Sequence, residues 1–189
     1  MENPELIQKF CPEITIEELI EANVLIADIG EGTIECNAVE AGKINTDLSD
    51  GALMGVGHAA IRAIRLYTQR VKQSFEINRQ EFMKIVNNPT HSQHLAATAA
   101  LEDAYAQEAM RIAEYIEDRY QALRGNVGIL IVSGGGAIAL KAHLEPQIKA
   151  FVEDKNIKLV WVDEDHAAKM NCLGLWALGD NSFFSKEGA

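Results

Sequence analysis

Val24-Leu25-Ile26-Ala27-Asp28-Ile29-Gly30-Glu31-Gly32-Thr33 joins an apolar run, an acid and a glycine turn in one short stretch. Val24 to Asp28 offers no alternation of wet and dry positions, so it reads as a strand buried on both faces. The turn after it lets backbone N–H groups approach phosphate oxygens. Thr33 adds a hydroxyl, and Asp28 is placed to hold a hydrated divalent cation. Gly-x-Gly is equally ordinary β-hairpin chemistry, and that alternative stays open.

Working outward, Thr33 to Ala41 supports a second strand, and Gly42-Lys43 turns it into a third around Ile44. Upstream, residues 4–21 place Leu6, Ile7, Phe10, Ile14, Ile16, Leu19 and Ile20 among acids, which predicts one or two short helices. Thr15 and Glu18 have the spacing of a capping box. Between Ala52 and Val71, the stripe Leu53, Val56, Ala60, Ile64, Tyr67, Val71 predicts an amphipathic helix. The stretch 75–92 is polar and broken at Asn87-Asn88-Pro89, whereas 95–123 is Ala-rich and predicts a long helix stopped by Gly125. Part of that helix is expected to be exposed.

Val127 to Val132 is a further buried strand, followed by Ser133-Gly134-Gly135-Gly136-Ala137 and a helix from about Ala139 to Glu153. Lys158 to Val162 gives a last strand, and His166 to Leu178 a last helix. The order βββα, helical insertion, βαβα implies an α/β domain with a largely parallel sheet covered by helices. Three glycines between a strand and a helix allow close backbone approach to a ligand at a helix N-terminus, or simply make a tight turn with positive φ.

Composition narrows the function. The chain has 189 residues, 48% of them apolar, enough for one domain or two small lobes. A net charge of -11 with 17 scattered basic residues argues against direct nucleic-acid or membrane-surface binding. Cys11, Cys36 and Cys172 are far apart and odd in number, as expected of reduced structural thiols in a cytoplasmic protein. The first residues lack the basic start and apolar run of a signal peptide. His58, His91, His94, His143 and His166 form no metal-ligand pattern, and Asp163, Glu164 and Asp165 suit the start of the last helix. Trp161 and Trp176 read as core or interface residues.

Asp28-Ile29-Gly30-Glu31-Gly32-Thr33 resembles the second phosphate loop of the actin, sugar-kinase and DnaK-type chaperone superfamily, and Val132 to Ala137 is similar to its adenosine motif. The segment His166 to Leu175 resembles the one following the final strand in bacterial actin relatives, with Asn171 and Gly174 at the matching positions. The likeness covers residues 24–179, with 1–23 as a helical lead or interdomain segment and 180–189 as a tail. It implies a ribonuclease-H-like βββαβαβα domain with an all-helical subdomain inserted at about 75–124. That short insertion and the Gly51 to Gly57 segment are most similar to plasmid-segregation actins of the ParM type.

The resemblance implies ATP (or GTP) and Mg, with Asp28 as the catalytic residue acting through a metal-bound water. Gly30, Gly32 and Thr33 would hold phosphates, and Gly134, Gly135, Gly136 and Asn171 would surround the nucleoside. Glu102, Glu108 and Arg111 of the insertion are the candidates for ribose contacts. It further implies self-association into filaments or dimers, a DNA-binding adaptor, and a role in DNA segregation. Glu31 replaces a common Gly and Glu35 a common Asp, which sets a carboxylate near bound phosphate. The family's first phosphate loop has no counterpart in residues 1–23, so the chain is expected to be the second domain alone or a natural half-protein. Hydrolysis would then be weak or absent without an N-terminal ATPase domain. The rival expectations are half of a non-polymerising kinase or reactivating chaperone, and a protein-binding module without nucleotide.

Overall fold

The computed structural model describes residues 11–72 and 77–167. Helix α1 (Ile16–Glu21) leads into β1 (Val24–Ile29), β2 (Ile34–Glu40) and β3 (Lys43–Ala52). Three helices follow, α2 (Val56–Arg70), α3 (Arg79–Val86) and α4 (His94–Ala122). The chain then alternates β4 (Ile129–Ser133), α5 (Gly135–Ala139), α6 (Lys141–Lys155), β5 (Lys158–Trp161) and α7 (Glu164–Ala167). The predicted βββα, helical insertion, βαβα order is the observed one.

One five-stranded sheet runs β3-β2-β1-β4-β5. It is mixed and not largely parallel as the sequence suggested. β1 pairs with β2, and β2 with β3, antiparallel, while β1–β4 and β4–β5 are parallel. The first two connections are hairpins, too short for the crossover a parallel pair needs; only the later ones contain helices. β3 runs to Ala52, so Leu53 lies outside the helical stripe and is exposed, and α2 starts only after Gly55.

The strand residues split between two cores. Leu25, Ala27, Ile29, Leu130 and Val132 face a cluster with the second half of α4 and with α6. Val24, Ile129, Ile131 and Val160 face Ile14, Leu19 and Ala167 on the other side. This two-sided burial is why neither strand alternates in sequence. Cys36 belongs to the first core, and burial pushes its thiol up to about 12, which makes it inert.

The insertion has its own core, in which Ala63 and Tyr67 of α2 and Phe82 of α3 meet Ala97, Ala100, Leu101 and Ala104 of α4. Tyr67 and Phe82 pack edge to face with ring centres 5.5 Å apart. With 29 residues, α4 is about 44 Å long and serves both this core and the sheet core. Helix α3 falls in the stretch that reads as polar and broken, and Asn78 and Glu81 start it with a complete capping box. The predicted box at Thr15 is only half made. Thr15 accepts from Glu18 N, but the Glu18 carboxylate turns to Lys158, 2.6 Å away on β5. Among the described residues no helix is long and apolar enough to cross a membrane.

Candidate functional site

Residues 30–33 form the loop of the β1–β2 hairpin, closed by Gly30 N–H donating to Thr33 O at 2.8 Å. The hairpin alternative is thus the local structure. It does not by itself account for the residues in the loop. A methyl group on Gly32 would meet nothing within 4 Å, and its φ is not positive, so the chain's own packing places no demand for glycine there.

The second glycine motif lies beside the first because β1 and β4 are parallel neighbours in register, Asp28 opposite Ser133. Gly134 has φ +95°, and a Cβ there would stand 2.3 Å from Ile29 O and 2.4 Å from Asp28 Oδ1. At Gly136 it would stand 2.5 Å from Gly30 O. Both glycines therefore let the β4 turn close onto the end of β1, with the Asp28 carboxylate between the loops. Gly135 differs: a Cβ there would meet nothing within 4 Å, and a helical glycine costs about 1 kcal/mol against alanine. Its absence of side chain leaves open space outside the turn. Helix α5 behind it has only five residues, so what it offers a ligand is its first N–H groups more than a long macrodipole.

A third glycine turn, Gly55–Gly57, completes the arrangement. Sequence reading noted it only as a family likeness. Gly55 has φ +153°, and a Cβ on it would lie 2.6 Å from Gly30 O and 2.7 Å from Glu31 O. Gly57 N–H donates to Glu31 O at 2.7 Å, and the Nε2–H tautomer of His58 donates to Gly32 O at 3.2 Å. The loop is held from below by its strand, from one side by the β4 turn, and from the other by the start of α2.

Glu31, expected to repel a bound phosphate, has its carboxylate paired with the Arg79 guanidinium on α3. The pair stands over a surface hollow of about 340 Å³ lined by Glu31, Gly32, Gly57, His58, Ile61 and Arg79. Arg79 carries no sequence signal of its own. The capping residues that place it, Asn78 and Glu81, do. Glu35, at the position of a common Asp, lies directly opposite Asp28 across the β1–β2 pair, on the same face of the sheet.

The three ribose candidates on α4 separate. Glu108 has none of its surface exposed, and its carboxylate is occupied by Gly55 N–H, Arg62 and Arg111, so it cannot reach a ribose. Arg111 is engaged in that cluster, whereas exposed Glu102 pairs with His143 of α6 at 2.8 Å. Asp163 starts α7 by accepting from His166 N–H at 3.0 Å, which is the helix-start role expected of it. Trp161 packs against the sheet core under the Lys141 ammonium. Asn171, Gly174, Cys172, Trp176 and the later part of the predicted last helix lie outside the described residues.

Comparison with known proteins bears on the family and the fold. The profile of the archaeal actin homologue MreB-like C-terminal domain matches residues 26–146. Ta0583, an archaeal actin homologue, is similar at 17% identity over 96% of this chain and 54% of its own, with a TM-score of 0.69. Its complex with ADP gives 20% identity, 96% and 56% coverage, and a TM-score of 0.62. A ParM from Clostridium botulinum, solved as a 15-stranded filament, gives 13% identity, 94% and 51% coverage, and a TM-score of 0.68. The chain thus spans about half the length of the solved structures it matches. A search of curated proteins gives no match.

Proposed function

Because the chain belongs to the family of archaeal actin homologue MreB-like C-terminal domains, we propose that it forms one wall of an ATP site in an actin-like ATPase. The observation that carries this reading is the Asp28 carboxylate lying between two glycine loops brought together by the β1–β4 pairing. In it, Gly32 and Thr33 present backbone N–H groups and a hydroxyl to the phosphates, while Gly30, whose own N–H closes the hairpin on Thr33 O, lets the phosphates come close to the turn. Gly134, Gly135 and Gly136 let the nucleoside approach the start of α5, and Asn171 adds to that side. The complex of Ta0583 with ADP supports the choice of ligand, and GTP is the competing nucleotide to test.

Mg²⁺ binds through one or two carboxylates, phosphates and several retained waters, and bound there it would neutralise charge on the phosphate oxygens. The residues fit such an ion. Asp28, with Glu35 opposite, supplies one or two carboxylates, and among the described residues no third ligand gathers to enclose the ion. Asp28 would hold it through water and orient the attacking water. The Arg79 guanidinium beside Glu31 offsets the carboxylate that would otherwise repel phosphate. Phosphoryl transfer depends mostly on positioning and electrostatic clamping, so a wall clamping from one side turns over weakly until a second domain covers it.

Self-association into filaments is part of the proposal, supported by the filament of the Clostridium botulinum ParM. DNA segregation through an adaptor is its furthest extension. A protein-binding module without nucleotide explains Gly134 and Gly136 as packing, but gives no reason for Gly32 and Gly135. Titration calorimetry of Mg-ATP into the chain and its Asp28→Ala variant tests the core of the reading. Saturable binding that is at least tenfold weaker in the variant, about 1.4 kcal/mol, is the expected result. Equal binding by both would remove Asp28 from the site.

A further inference from the structure

Glu108 is a fully buried carboxylate to which the reaction assigns no role. It sits on α4 where the helix passes from the insertion core, ending at Ala104, to the sheet core, beginning at Ala109. A buried charge is costly unless paired and hydrogen-bonded, and an apolar residue would fill the position at less expense. What the carboxylate does there is join α4 to α2 and the turn that leads into it. Its Oε1 accepts Gly55 N–H at 2.9 Å across 53 residues of sequence, and its Oε2 accepts from Arg62 of α2 at 3.1 Å and from Arg111 at 2.9 Å.

Gly55 is the residue before α2, and that helix has no side-chain cap of its own. Glu108 accepts the N–H of the N-cap residue itself, as the returning carboxylate of a capping box does, but from a distant helix and with the negative charge that a helix start favours. The other side of Gly55 is pressed against Gly30 O and Glu31 O, and two residues on, Gly57 N–H holds Glu31 O. The tie therefore runs from α4 through Gly55 and Gly57 to the peptide of Glu31. We propose that Glu108 is a positioning residue: it fixes the Gly55–Gly57 turn, and through it the 30–33 loop, so that nucleotide affinity follows how the helical insertion seats on the sheet. The statement about affinity rests on the phosphate reading of that loop; the statement about loop geometry does not.

Reach and charge are separable. Glu108→Asp keeps the charge beside both guanidinium groups but falls short of Gly55, whereas Glu108→Gln keeps the reach and loses the charge. In the full chain, amide hydrogen exchange at Gly55 and Gly57 is expected to be about tenfold faster in Glu108→Asp, with β4 unchanged. ADP affinity by calorimetry should fall about tenfold with it, a common size for site-to-site coupling. Glu108→Gln keeps one oxygen for Gly55 but turns an NH2 group to Arg62 and Arg111, and should fall between the parent and Glu108→Asp in both. The reverse ranking, or no change in either variant, overturns the proposal. Should the Asp variant not fold, the parent chain still decides: slow exchange at Gly55, in a turn, is expected, and fast exchange refutes the tie. If the parent binds no ADP, the phosphate reading fails while the exchange measurements still judge Glu108.

Discussion

The glycines around the end of β1 divide by what a methyl group would meet. Gly134→Ala forces a side chain into Ile29 O and Asp28 Oδ1 at positive φ and should destabilise the chain by about 2–3 kcal/mol in urea unfolding. Gly135→Ala meets open space in a helix and should stabilise by about 0.5–1 kcal/mol, with Gly32→Ala near neutral and any loss confined to nucleotide affinity. If Gly134→Ala unfolds no more easily than Gly135→Ala, the close contact of the two loops is wrong. Asp28 and both glycine loops were legible in sequence because acid and glycine at strand ends carry their chemistry locally. The contacts of Gly55, Arg79 and Glu108 were not. The Glu108–Gly55 bond crosses 53 residues and the Arg79–Glu31 pair 48, and periodicity does not report such distances. The charge of Glu31 was legible, its partner was not, and so repulsion looked unrelieved.

At the scale of elements, α3 hangs on its first turn. Asn78→Ala removes the capping acceptor and should cost about 1 kcal/mol in chemical denaturation, while loosening the helix that presents Arg79. An unchanged midpoint would mean that Phe82 packing alone holds α3. Helix α1 is tied to β5 by Lys158, whose hydrogen bond lowers the pKa of Glu18 below its ordinary 4.5. A depressed carboxylate pKa stabilises above the unfolded value and loses that contribution as pH falls through the folded one. The stability gap between the parent and Lys158→Met should therefore be present at pH 7 and vanish well below pH 4.5; a gap constant down to pH 3 would assign it to lost packing. Buried strands and the long helix could be read from sequence. β3 could be read only around Ile44, because it is an exposed edge of Asn, Thr, Asp and Ser with little to alternate. α3 was hidden because its eight residues bury one side chain, Phe82, too little to set a period, and the Asn78-x-x-Glu81 spacing was the usable signal.

At the scale of the molecule, a net charge of -11 opposes the contact between copies that the filament proposal requires. Self-association should strengthen between about 0.05 and 0.5 M salt as the Debye length falls to a few ångströms. Sedimentation velocity checks this, and weaker association at high salt would point to complementary charged patches. The order of elements was legible, and the short turns at residues 30–33 and 41–42 already carried the antiparallel directions of β1, β2 and β3; the helices between the later strands obscured the mixture. The pairing that unites the loops also has a history in time. β1 can join β2, and β2 can join β3, as soon as they are made, but β4 follows β1 by about a hundred residues. At about 5–20 residues per second, the free edge of β1 waits on the ribosome for about 5–20 s, an apolar strand with unspent hydrogen bonds. The share of chains that reach the folded form is then expected to depend on what shields that edge until β4 emerges.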